Sequence, residues 1–126
     1  MKYDEFLEQE NKKKTKRKPR HKESRIQQQM VEWFHLQYPN LVIAAIPNGG
    51  RRNALEAKIM KGEGVLAGFS DLIIIAPKNV LFVEVKTEEG RQSENQAVFQ
   101  KNVEQLGFQY SICRSLEKWL KDKFSV

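Results

Sequence analysis

The chain of 126 residues is poor in the side chains that build disulfides and zinc sites. It has one cysteine, Cys113, and two histidines, His21 and His35. A single thiol excludes an intrachain disulfide and a cysteine-rich zinc box, and the two histidines do not stand at metal-ligand spacing. No Ser-His-Asp arrangement suggests itself. Cys113 falls in a run that is typical of a strand, where we expect a buried, unreactive thiol.

Long apolar runs are also absent. No segment approaches the roughly 20 apolar residues that a membrane-spanning helix needs. The N-terminal residues lack the apolar stretch of a secretory signal. We therefore expect a soluble, intracellular protein without membrane contact, and the length suits one domain with one core.

Positive charge is concentrated in one short segment. Residues 11–22 hold eight Lys or Arg and no acid, whereas residues 1–10 carry a net charge of −3 and residues 23–126 one of +1. Such a run is typical of an arm that binds a polyanion, of a solvated tail or of a nuclear localisation signal. We predict a flexible, acidic-then-basic tail over residues 1–21 and a single domain over residues 22–126.

Hydrophobic periodicity and turn residues predict alternating helices and strands. In chain order these are helix 22–37, strand 41–46, helix 53–61, strands 71–76 and 80–86, helix 93–106, strand 108–113 and a last helix after Ser115. A short helical segment within residues 1–10 also fits. The helix between the last two strands predicts a parallel crossover, and Pro77-Lys78-Asn79 predicts an antiparallel hairpin. The fold class is therefore α/β, with a mixed central sheet flanked by helices.

The helix that follows the last charged turn has clear end signals. Ser93 is a good N-cap, and Gln96 three residues on completes a capping-box pattern. Val98, Val103 and Leu106 are expected to face the core.

Two carboxylates and a lysine stand at the ends of apolar strands. Glu84-Val85-Lys86 ends one strand, and alternation places Glu84 and Lys86 on the same face. Asp71 begins the strand before it, after a loop containing Gly68. Such residues are more often a surface ion pair, but both strands are apolar on both faces, as in sheets that are covered on both sides. If the strands pair, two carboxylates and a lysine come together, which is the smallest set of side chains that a metal-assisted phosphodiester hydrolase needs.

Other polar residues have two explanations each. Glu23 lies on the apolar stripe of its helix with Ile26, but taken alone it is better explained as a first-turn glutamate favoured by the helix dipole. Arg51, Arg52 and Lys61 flank glycines in loops, where they can grip a phosphate backbone without reading bases or be ordinary solvated charges. Sequence-specific readout is not indicated.

Together these motifs resemble the PD-(D/E)xK nuclease superfamily and, within it, the stand-alone VRR-NUC domain of phages and bacteria. The resemblance covers about residues 22–121. It rests on Glu23, Gly68-Phe69-Ser70-Asp71, Glu84-Val85-Lys86, Gln96, the Gly90-Arg91-Gln92-Ser93 lead-in and the turn Ile46-Pro47-Asn48-Gly49 with Arg51 and Arg52. One departure is Ser70, which stands where the superfamily often has proline, a residue that shapes the backbone and binds no metal. The resemblance implies a restriction-endonuclease-like core.

The resemblance also implies roles for the site residues. Asp71, Glu84 and the Val85 carbonyl would bind Mg²⁺ or Mn²⁺. Glu23 would hold a water from the facing helix, and Lys86 would orient the attacking water or stabilise the transition state. Gln96 would hydrogen-bond the water or Lys86, or serve only as a helix cap. The residues predicted to contact DNA are Asn48, Arg51, Arg52 and Lys61.

The function implied is a divalent-metal-dependent deoxyribonuclease. It would cut four-way junctions or other branched DNA as a homodimer, in the cytoplasm of a bacterial or phage-infected cell, without a small-molecule cofactor. The alternative is a non-catalytic nucleic-acid-binding module whose basic tail supplies the affinity.

Overall fold

The computed structural model describes residues 2–13, 22–47 and 53–124. Within these ranges the elements are α1 (Tyr3–Lys13), α2 (Lys22–Gln37), β1 (Val42–Ala45), α3 (Ala54–Gly62), β2 (Leu72–Ala76), β3 (Asn79–Val85), α4 (Glu94–Gln105), β4 (Gln109–Cys113) and α5 (Leu116–Phe124). The fold is α/β, as predicted, and most bounds lie within one residue of the expected ones. No described helix has the length and apolar character needed to cross a bilayer.

The described strands form one mixed sheet in the order β1-β2-β3-β4. β1 pairs antiparallel with β2, and β2 with β3 through the predicted hairpin. β3 and β4 are parallel, because α4 crosses over between them. The predicted mixed topology is therefore confirmed.

Alternation along β3 divides the core between the two faces of the sheet. Val83 and Val85 join a cluster with residues of α1, α2 and α5. Phe82 faces the other way and packs with Phe99 and Val103 of α4. Helices therefore cover both faces, which explains why these strands lack the polar face of a half-solvated sheet.

Helix α1 corrects the expected domain boundary. Phe6 is only 1% exposed and lies in the core cluster shared by α2 and α5, with Tyr3 packed against it. Tyr3 and Phe6 are three residues apart on one face of α1 and pack over α2. Helix α1 is therefore part of the folded domain and not of a tail. Residues 14–21, which contain most of the basic run, lie outside the described residues, and the flexible arm stays a prediction for them.

The inward face of α4 differs from the expected one. Val98 is 56% and Leu106 is 73% exposed, whereas Phe99 and Val103 are buried. Phe99 and Val103 are four residues apart and form one stripe, and Val98 is rotated by about 100° from it. Gly107 follows the helix at φ +91°, a conformation that suits the end of a helix.

Candidate active site

Asp71 lies where the loop after α3 enters β2. Its Oδ2 accepts a hydrogen bond of 2.8 Å from the backbone N–H of Val85. The antiparallel register pairs Leu72 with Val83, so Asp71 reaches the end of β3 across the hairpin. The Asp71 carboxylate is thereby fixed beside the Glu84-Val85-Lys86 segment, as the sequence predicted.

The loop that delivers Asp71 depends on one glycine. Gly68 has φ +83°, and a Cβ there would lie 2.4 Å from the backbone carbonyl atoms of Asn95. Only glycine allows the loop to pass so close to the start of α4. Just after it, the buried hydroxyl of Ser70 donates to the Leu72 carbonyl at 2.9 Å, which closes the turn at the position where the superfamily often has proline.

Glu84 is buried on the face of the sheet that α4 covers, with 1% of its surface exposed. Its Oε1 accepts a hydrogen bond of 3.0 Å from Gln96 Nε2, and the Tyr110 hydroxyl lies 3.4 Å from its Oε2. Gln96 also completes the capping box with Ser93. The structure thus shows the helix-capping role, which was one of the two predicted, and adds a contact with Glu84; a contact with water or Lys86 stays a prediction.

The surroundings of Glu84 disfavour its charge. Burial, together with the hydrogen bond to Asp71 and its negative charge, raises the pKa of Glu84 to about 8, although Lys86 and Tyr110 act in the opposite direction. Two adjacent carboxyl groups, one of them desolvated, do not both ionise without a compensating cation. The pair therefore holds a proton or attracts positive charge near neutral pH.

Lys86 continues the strand beyond Glu84. Its backbone N–H donates to the Cys113 carbonyl at 3.0 Å, and its charge lowers the pKa of Glu84. A Cβ at Gly90 would lie 3.4 Å from Lys86 Cδ, so the side chain runs along the following turn. The charge of Lys86 thus acts on Glu84, which agrees with the placement of both residues by alternation.

A cavity of about 610 Å³ lies between α2 and the ends of β2 and β3. Glu23, in the exposed first turn of α2, lines it together with Asp71 and Val85. Within the described ranges, no three His, Cys, Asp or Glu side chains are close enough to form a ready-made metal cluster. Glu23 therefore shares the cavity with Asp71 but stands apart from the Asp71–Glu84 pair.

Of the four predicted phosphate-binding residues, only Lys61 lies in the part of the chain that the structure describes. Lys61 is exposed at the end of α3 and lines a different cavity, of about 790 Å³, with Val65 and Val98. Asn48, Arg51 and Arg52 lie outside the described residues. The DNA contacts of all four stay predictions.

The sequence analysis missed three polar residues near the site. Gln92 Nε2 donates to the Tyr110 hydroxyl at 3.1 Å, and burial is the main cause that raises the pKa of Tyr110 to about 12. Arg114 donates to the carbonyls of Thr87 at 2.6 Å and Gly90 at 2.7 Å. The relation of Tyr110 to Glu84 depends on the parallel register, which pairs Phe82 with Tyr110, and nothing in the sequence pattern pointed to Arg114.

The order of elements and the placement of Asp71 beside Glu84 are consistent with the PD-(D/E)xK superfamily. The family pattern described as VRR-NUC domain matches residues 8–117, and the chain belongs to this nuclease-type family. A solved structure described as a VRR-NUC domain protein is similar over 82% of this chain and 88% of that chain, with a TM-score of 0.65 and 20% identity. At that identity the similarity shows a shared fold. A search of curated proteins found no match.

Proposed function

We propose that this VRR-NUC domain is a Mg²⁺- or Mn²⁺-dependent endonuclease that hydrolyses phosphodiester bonds of branched DNA, such as a four-way junction. The observation that carries the proposal is the contact between Asp71 and Glu84, one fixed by a backbone N–H and the other buried. Burial of one carboxyl beside another destabilises the charged pair, and a bound cation would offset that cost.

The residues present fit a hard divalent cation. Asp71, Glu84 and the backbone carbonyl of Val85 offer only oxygen atoms, the ligands that Mg²⁺ and Mn²⁺ prefer. Mg²⁺ is usually held by one or two carboxylates and keeps several waters, so a separate Glu23 in the same cavity suits contact through water. When bound, such an ion supplies Lewis-acid polarisation of the phosphate and the attacking water.

The remaining residues have roles that follow from their positions. Lys86 places a positive charge beside Glu84, so its proposed role is to stabilise negative charge in the transition state and not to act as the base. Glu23 orients a water in the α2 cavity. Gln96 holds Glu84 in place, which reduces the reorganisation needed during reaction.

DNA is the proposed partner, and the positive side chains contact its backbone. Asn48, Arg51, Arg52 and Lys61 are proposed to contact phosphates, and the basic run over residues 11–22 adds sequence-independent attraction. One compact domain with one site cuts one strand. Two symmetric cuts in a junction need two sites, so a homodimer is proposed for the junction-cutting form.

Cleavage of end-labelled DNA tests the proposal. A four-way junction and a linear duplex of the same sequence are incubated with Mg²⁺, Mn²⁺ or a chelator. We compare the wild type with D71N and with D122N, a matched change of an exposed aspartate on α5. We expect paired nicks in the junction, loss in the chelator, and a loss of about 100-fold or more in D71N only.

Other outcomes would correct specific parts. Equal cleavage by D71N would refute the site, and equal cleavage of junction and duplex would refute the selectivity. Binding of DNA without cleavage under any of these conditions would favour the nucleic-acid-binding module. Sedimentation of the chain as a monomer at micromolar concentration would contradict the homodimer.

A further inference from the structure

We propose that Tyr110 is a positioning residue for Glu84, and that Gln92 fixes the direction in which the Tyr110 hydroxyl donates. The hydroxyl would hold the carboxylate in the orientation in which it receives a divalent cation. This inference rests on the proposed function.

The strand register places Tyr110 beside Glu84. β3 and β4 are parallel, with Phe82 opposite Tyr110 and Glu84 opposite Ile112. Tyr110 therefore points to the same face as Glu84, on the neighbouring strand. It is buried, and its ring packs on Phe99 with a centroid separation of 6.2 Å. The hydroxyl is thus mounted on a packed ring attached to a strand, whereas the Glu84 carboxylate ends a chain with three rotatable bonds.

The two oxygens of Glu84 have different donors. Gln96 from α4 approaches Oε1 at 3.0 Å, and Tyr110 from β4 approaches Oε2 at 3.4 Å. The terminal torsion of a glutamate has a broad energy profile, so the side chain alone does not fix the rotation of its carboxylate. One donor on each oxygen restricts that rotation. Each carboxylate oxygen can accept more than one bond, so this clamp leaves the carboxylate able to ligate.

The direction of the tyrosine proton follows from a chain of side-chain amides. Gln100 Nε2 donates to the carboxylate of Glu104 at 3.5 Å, and Gln100 Oε1 accepts from Gln92 Nε2 at 2.9 Å. The same Gln92 nitrogen donates to the Tyr110 oxygen at 3.1 Å. An oxygen that accepts from Gln92 directs its own proton elsewhere, and Glu84 is the acceptor within reach.

The distance of 3.4 Å is longer than the roughly 2.7 Å that is usual for a hydroxyl bonded to oxygen. The contact therefore has room to shorten when a cation fixes the position of the carboxylate, so the Tyr110 hydroxyl should contribute to cation affinity and not only to folding.

Calorimetric titration of the full chain with Mn²⁺ tests this inference. We compare the wild type with Y110F, with Q92L, and with Y38F as a control that removes another tyrosine hydroxyl. Outer partners of metal ligands typically change affinity by about 10- to 100-fold. We expect Y110F to weaken Mn²⁺ binding about 10-fold, Q92L to weaken it less, and Y38F to leave it unchanged, with cleavage by Y110F restored at saturating Mn²⁺.

The outcomes distinguish the inference from the function on which it rests. Wild-type Mn²⁺ affinity in a folded Y110F would overturn the positioning role and leave the proposed function intact. Absence of Mn²⁺ binding to the wild type would overturn the cation-dependent function and this inference with it. Should Y110F fail to fold, Q92L decides: unchanged affinity overturns the inference, and a loss that added Mn²⁺ restores supports it.

Discussion

Gln96 joins the start of α4 to Glu84. Its Nε2 donates to Glu84 Oε1 at 3.0 Å, while its Oε1 accepts from the backbone N–H of Ser93 at 2.8 Å. One amide therefore completes a helix cap and supports a buried carboxyl group. The cap has a second hydrogen bond, from the Gln96 backbone N–H to Ser93 Oγ at 3.2 Å, and removal of this bond alone weakens the cap without removing the contact with Glu84.

Replacing Gln96 by leucine removes both contacts, whereas replacing Ser93 by alanine removes only its side-chain acceptor. We expect S93A to lower the free energy of unfolding by about 1 kcal/mol with little change in cleavage. Q96L should in addition lower cleavage about 10-fold or more, because Glu84 loses a donor. Urea unfolding and cleavage assays measure the two effects. Equal losses of cleavage in both variants would show that Gln96 acts only through the helix.

The stability of the cation-free chain should fall as pH rises from about 4.5 to 8. The pKa of Glu84 is raised from its ordinary value of 4.5 to about 8. Between these values the folded chain keeps a proton that the unfolded chain has released, so the free energy of unfolding decreases with pH by at most about 1.4 kcal/mol per unit. Urea unfolding across this range measures the slope. E84Q should flatten it and D122N should not; a stability that rises over this range would contradict the prediction.

Arg114 should maintain the turn that follows Lys86. Its guanidinium donates to the carbonyls of Thr87 and Gly90, and such charged hydrogen bonds contribute about 1.5–3 kcal/mol each at most. We expect R114A to lower the free energy of unfolding by about 2 kcal/mol and to reduce cleavage, because the turn along which Lys86 lies loses its support. K118A, which breaks the exposed Lys118–Glu88 pair, should cost less than about 1 kcal/mol. Equal effects of the two variants would refute this role of Arg114.

Gly68 should not accept a side chain. G68A places a Cβ 2.4 Å from the Asn95 backbone at φ +83°, so either the loop or α4 must shift. We expect a loss of more than about 1 kcal/mol in the free energy of unfolding and a loss of cleavage, since Asp71 follows this loop. G64A is the matched control: Gly64 also has positive φ, but a Cβ there meets nothing within 4 Å. It should be strained without displacing Asp71, so cleavage that falls equally in both variants would contradict the prediction.

Phe6 should contribute to stability as a core residue. It is fully buried with Met30 and Leu120 in the cluster between the sheet and the helices. Truncation of a buried phenylalanine typically costs about 3–5 kcal/mol, so we expect F6A to lower the free energy of unfolding by about that amount. L55A, which changes an exposed leucine of α3, should have little effect. If F6A changed the free energy of unfolding only slightly, the assignment of residues 2–13 to the folded domain would be wrong.

The sequence predicted the parts of this fold that depend on local pattern. The two-residue period of β3 placed Glu84 and Lys86 on one face, and the Ser93–Gln96 spacing predicted the cap of α4. The packing of Phe6 was not predictable in this way, because a few apolar residues in a charged segment have no visible partner until the surface of α2 is built. Tyr110 was missed for a related reason: its relation to Glu84 depends on the register of two strands separated by a whole helix.

The contacts around the two carboxylates span very different lengths of chain. The bond between Asp71 and Val85 closes 14 residues within one hairpin, whereas Tyr110 and Glu84 are 26 residues apart and Arg114 and Thr87 are 27 apart. Contacts between distant residues are slower to form because more chain must be ordered first. During folding, the hairpin is therefore expected to bring Asp71 to the end of β3 early, and Glu84 receives its hydroxyl donor only when β4 docks.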